Sequence, residues 1–192
     1  MERRWAVDLE GSGKSPPEIV ELAIAEMDGL ELTGFRKHWL FRPRNGISPI
    51  VSRLHGIWDQ DVADAPDLED VADDVLEWLV DAPIVGHNVR IEVDMLKPVL
   101  ADWQPVQAFD TLRLARRLLP GQPKHGLETL GEALGLAEQT REIVGMSAHS
   151  APFDAVVTAL LFRYLVEPLE GDARQQALDD ADILRVSQAS LL

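Results

Sequence analysis

Apolar and polar residues change rhythm along this chain, and the rhythm lays out an α/β domain. Residues 4–9, 18–27 and 32–42 carry apolar stretches of strand length, and Asp28-Gly29 between the last two is suited to a tight reversal. These three segments predict an antiparallel meander. The pattern then turns helical. Leu68, Val71, Val75 and Leu79 recur at intervals of three and four and predict a helix over 67–80. A short strand over 83–87 precedes a helix over 91–101, and a strand over 106–109 precedes a helix over 111–119. Helices over 127–135 and 150–167 follow. Pro152 fits only a first helical turn, where its missing N–H is no loss, so the last of these helices starts near Ser150. The layout is one domain over 1–168. Residues 169–192 form a C-terminal helical extension, with Ala177, Leu178, Ala181 and Leu184 at helical spacing and expected to pack.

Composition narrows the class. The 192 residues are ample for the core of a single domain. There is no cysteine, which removes disulfides and thiolate metal sites. No apolar run approaches the ~20 residues that span a bilayer, and Met1-Glu2-Arg3-Arg4 leads into a strand without a signal-peptide core, so a cytoplasmic protein with no membrane partner is expected. The net charge is −15, and ten acids with no Lys or Arg lie between Asp59 and Asp81. An extended duplex, which demands many phosphate contacts, suits such a chain poorly. Lys14, Arg53, Arg90, Lys97, Arg113, Arg116, Arg117, Lys124 and Arg141 offer a local phosphate track instead.

The chemistry begins at Val7-Asp8-Leu9-Glu10-Gly11. On a strand, residues 8 and 10 project from one face, and two adjacent carboxylates call for a cation between them. Two later segments keep them company. Ile84-Val85-Gly86-His87-Asn88 is an apolar strand ending in polar residues, followed by a helix bearing Glu92 and Asp94. His149-Ser150-Ala151-Pro152-Phe153-Asp154 places a carboxylate on a rigid helix and an imidazole on the loop before it.

These elements, in this order, resemble the DEDDh family of 3′→5′ exonucleases, the DnaQ-like group. The resemblance also takes in Leu54-His55-Gly56-Ile57 with Ala65-Pro66, Asp110-Thr111-Leu112 running to Pro120-Gly121, and Gly126-Leu127-Glu128-Thr129-Leu130 ending in Leu134-Gly135-Leu136. It implies a ribonuclease-H-like fold, a mixed five-stranded sheet flanked by helices. It implies two Mg²⁺ or Mn²⁺ ions held by Asp8, Glu10, Glu92 and Asp154. Asp8 would bridge the ions, Glu10 and Asp154 would serve the nucleophile side and Glu92 the other, with His149 as general base. Leu9, Gly11, Ser12, His55 and Asn88 would face the substrate, a single-stranded or short DNA or RNA 3′ end, and a polymerase is a possible partner.

The departures are informative. Gly11-Ser12-Gly13 replaces the threonines common in the family, and the acid five residues after His87 is Glu92 rather than aspartate. Asp94 stands two residues further, about 200° around a helix, and remains the alternative fourth acid. His55 serves either the substrate or a turn cap. His125 reads as a solvent residue, His38 as uninformative, and the five tryptophans as packing. Two other functions stay open: a phosphodiesterase for dinucleotides or small nucleotide metabolites, and a catalytically weak nucleic-acid-binding member of the fold. No motif separates DNA from RNA, because 2′-OH reading depends on pocket shape.

Overall fold

Three long strands build the frame that carries the site. In a computed structural model, residues 2–101, 103–145 and 148–185 are described. β1 (Arg3–Gly11), β2 (Ile19–Asp28) and β3 (Glu31–Leu40) form the antiparallel meander, and Gly29 takes a positive φ in the expected reversal. Two short strands, β4 (Ile84–Gly86) and β5 (Ala108–Asp110), run parallel to β1, which gives the mixed order β3-β2-β1-β4-β5. In the β1–β2 register Asp8 faces Ala23 and Glu10 faces Glu21, with a bulge just after Glu10.

Alternation splits the sheet between two cores. Trp5, Val7, Leu22 and Ile24 pack under α2 (Ala72–Leu79) and α3 (Arg90–Leu96). Ala6, Ala25 and Met27 pack under α4 (Thr111–Leu118), α7 (Ala151–Val166) and α8 (Gly171–Ala181). Twelve of the sixteen residues of α7 are buried, as expected for a helix apolar on all sides. Ala23, Ala151 and Ala155 touch one another where α7 crosses β2, and such small side chains let the helix lie close to the strand. α8 belongs to the same core through Ala177 and Ala181. Beyond it, the Asp182 carboxylate accepts from the Ala108 N–H and the Ile183 N–H donates to the Ala108 carbonyl. Residues 186–192 of the expected extension lie outside the described residues.

Several helices differ from the expectation. α1 (Pro49–His55) is an addition, capped by the Ser48 hydroxyl and closed by Gly56 at φ 82°. The helix expected over 67–80 opens as a 3₁₀ turn, Leu68–Val71, before α2. That expected over 91–101 stops at Leu96, shortly before Pro98, which has no N–H to extend it. The helix expected over 127–135 ends early as α5 (Leu127–Ala133). Gly135, at φ 71°, turns the chain into α6 (Leu136–Val144).

Candidate active site

The site forms where the end of β1 meets the start of α7. Asp8 and Glu10 share a face of β1 because side chains alternate, and Pro152 near the start of α7 places Asp154 in its first turn. One oxygen of each carboxylate lies within 4.8 Å of the others. That span is about twice a cation–oxygen distance of roughly 2.0–2.6 Å. Glu92, in the first turn of α3, is buried, and its Oε2 has no hydrogen-bond partner among the described residues. Asp94 points to solvent on the same helix.

Burial and crowding raise Asp8, Glu10, Glu92 and Asp154. Asp8 is held well above the usual carboxylate range, first by burial and then by Asp154, Glu92, Glu10 and Glu21. Burial carries Glu10 to about 8, with Asp154 and Glu21 adding to it. Glu92 also rises to about 8, through burial and then Asp110. Asp154 reaches only about 6, because His149 offsets its burial. A half-buried cluster of three acids that clings to protons in the absence of positive charge suits a divalent cation; Glu92 stands outside that convergent trio, buried, with one oxygen lacking a hydrogen-bond partner among the described residues.

His149 holds φ 61°, in the left-handed region, and its backbone N–H donates to the Asp154 carboxylate. Its imidazole stands partly exposed at the mouth, with Nε2 3.8 Å from Glu128. The chain thus clamps Asp154 with the backbone of the residue whose side chain is free to meet solvent.

The family model for exonucleases matches residues 6–162. The chain belongs to the exonuclease family. This exonuclease is similar to the DNA polymerase III subunit epsilon of Rickettsia felis, 30% identical over 191 residues that take in 94% of this chain and 79% of that protein. It is also similar to the 3′-5′ exonuclease DinG of Bacillus subtilis, 30% identical over 88% of this chain and 18% of that one. Among solved structures it is similar to exonuclease X in complex with 5′ overhanging duplex DNA. The TM-score there is 0.74 at 28% identity, covering 94% of this chain and 99% of that one. The fold is therefore the ribonuclease-H-like exonuclease fold expected, and the protein is a 3′→5′ exonuclease of the DnaQ-like group that depends on divalent metal.

The remaining residues of interest divide. Leu9 and Gly11 lie partly open beside the acids of the exonuclease, and Asn88, at φ 69°, donates its N–H to Asp110. Ser12 is fully buried, and its hydroxyl accepts from the Glu18 and Lys14 N–H groups, so that side chain is spent on its own turn. His55 does cap a turn, its Nδ1 accepting from the Ile57 N–H, while burial lowers its pKa against the pull of Glu21 and the Gly11 carbonyl. His125 is half-buried rather than in solvent: its ring lies 3.0 Å from the Leu119 carbonyl, and its own carbonyl receives His87. Of the basic track, Arg113, Arg117 and Arg141 are paired with Asp110, Asp180 and Glu132.

Two residues escaped the reading of the sequence. Glu21 is buried beside Glu10, and His38 is bound to it. The signal for Glu21 was a lone charge within Ile19-Val20-Glu21-Leu22-Ala23-Ile24, an otherwise apolar strand. A charge there is expensive unless it has a partner.

Proposed function

We propose that this exonuclease removes nucleotides from the 3′ ends of single-stranded or short DNA or RNA, with Asp8, Glu10, Glu92 and Asp154 holding two divalent ions, Mg²⁺ or Mn²⁺, and His149 as general base. The observation that carries the reading is the convergence of Asp8, Glu10 and Asp154 within 4.8 Å. Ions bound there would polarise the phosphate, lower the pKa of the attacking water and neutralise the leaving 3′ oxygen. The chain's own part is alignment and proton handling. Asp8 and Glu10 are fixed by the sheet, while Asp154 is fixed by its helix and by the His149 N–H. His149 takes the proton of the attacking water on its imidazole and passes it to bulk solvent, for which a half-open position at the mouth is suited. Leu9, Gly11 and Asn88 line the approach of the terminal nucleotide, with His55 buried behind them as a turn cap.

A net charge of −15 favours substrates that present few phosphates. Similarity to polymerase subunits supports a cytoplasmic enzyme with a polymerase as a possible partner. Neither a dinucleotide-specific phosphodiesterase nor a weak binding member is favoured. The test is release of nucleotide from oligonucleotides labelled at the 3′ end, graded in length and strandedness. EDTA should abolish release, Mn²⁺ or Mg²⁺ should restore it, and Asp154→Ala should lose both rate and metal affinity. Turnover that persists in chelator refutes the assigned metal site.

A further inference from the structure

Glu21 faces Glu10 across the β1–β2 ladder, and like charges directly opposed in a sheet are unfavourable. Yet Glu21 is 3% exposed and takes no place among the three acids that converge. Both its oxygens are engaged elsewhere. Oε2 accepts the N–H of Ala151, the first residue of α7, at 2.7 Å and across 130 residues of sequence. Oε1 lies 2.7 Å from Nε2 of His38 on β3, one diagonal step away, since Glu21 pairs with Leu40 and Ala23 with His38. A carboxylate held at two points keeps one rotamer. A negative group against the first N–H of a helix is also favoured by the unpaired donors and dipole there.

We propose that Glu21, clamped by His38, is a positioning residue that fastens the first turn of α7 to the sheet and so sets where Asp154 and His149 stand against Asp8 and Glu10. The anchor acts at the first amide of the helix, three residues before Asp154 and two after His149. It rests on the metal site proposed above, and it extends that site by a residue that touches neither metal nor substrate. Groups that orient ligands from behind typically contribute about 10–100-fold in metal affinity or activity.

The test uses the full chain with Glu21→Ala, Glu21→Gln and His38→Ala. Two quantities are measured: Mn²⁺ binding by calorimetry, and amide hydrogen exchange of residues 148–158 without metal. Glu21→Ala should weaken Mn²⁺ binding by about 10–100-fold and speed exchange in the first turn of α7, with the circular dichroism spectrum unchanged. Glu21→Gln should stay near the parent in both, because its amide oxygen still accepts from Ala151 and its NH₂ faces the imidazole. Glu21→Ala that matches the parent in affinity and exchange overturns the proposal, as does Glu21→Gln failing as badly as Glu21→Ala. If Glu21→Ala does not fold, His38→Ala at the open edge decides: loosened exchange supports the anchor, and unchanged exchange overturns it. Failure of the parent to bind Mn²⁺ would instead overturn the metal site, while the exchange data, taken without metal, would still judge the anchor.

Discussion

Replacing Glu92 by glutamine keeps the size of the side chain and removes its ability to ionise, which isolates what its burial does. Glu92 is 4% exposed, and burial carries its pKa from 4.5 to about 8. Between those values the folded, metal-free protein keeps a proton that the unfolded chain has released. The stability this group contributes is therefore complete below pH 4.5, falls as pH rises, and is lost by about pH 8. At about 1.4 kcal/mol per tenfold change in proton affinity, the full rise corresponds to roughly 5 kcal/mol, and relaxation of the site brings the working figure to about 2–5 kcal/mol. Glutamine has no proton to release. In EDTA at pH 8, Glu92→Gln should thus be more stable than the parent by that amount, and near pH 5 the two should agree. For a domain of this size the difference is a Tm higher by roughly 4–20 °C. Added Mn²⁺ should reverse the ranking, since ligand binding stabilises only the chain that holds the ion. Thermal or guanidinium unfolding across pH 5–8.5, with and without Mn²⁺, measures all of this. Parallel pH profiles for the two proteins in EDTA would refute the reasoning, because Glu92 would then titrate alike in folded and unfolded chains.

Substitutions at three positions probe the chemistry. His149→Ala should lower kcat by about 10²–10⁴-fold with Mn²⁺ affinity largely kept, and should lose the rise of rate with pH on the acid side. An unchanged pH–rate profile would dismiss His149 as the base. Glu92→Asp should retain or raise activity, Glu92→Gln should cripple it and Asp94→Asn should be mild. Because one extra methylene shifts the carboxylate by about 1.5 Å, the parent should work better with Mn²⁺ than with the geometrically stricter Mg²⁺. A dead Asp94→Asn beside a working Glu92→Gln would make Asp94 the fourth acid.

What the sequence made legible was local. The shared face of Asp8 and Glu10 follows from strand alternation alone, and the start of α7 from the missing N–H of Pro152. α1 was hidden because it is short and leaves Ile50 and Leu54 exposed, so no apolar stripe announces it. The Ser48 cap, Pro49 and Gly56 were its only marks. α6 was missed because the expected helix stops at residue 135 with none expected directly after it, whereas Gly135, at φ 71°, turns the chain directly into a second helix. A lone charge in an apolar strand marked Glu21 as unusual, but no local rule named His38 or Ala151 as its partners. Their meaning depends on a register shared by three strands and on residue 151, and no window on the sequence holds both.

That separation has a consequence for the timing of activity. A chain emerging from the ribosome presents Asp8 and Glu10 early and Glu92 at mid-length, but Asp154 sits on the central helix, 146 residues after Asp8. Until α7 arrives, the sheet face bearing Ala6, Ala25 and Met27 is uncovered, and the carboxylates of β1 have no third partner. Domains generally fold as units during synthesis. On the site proposed above, a nascent or prematurely terminated chain that stops short of α7 is unarmed: the capacity to degrade nucleic acid arrives in one step, when the fold closes over its own first strand.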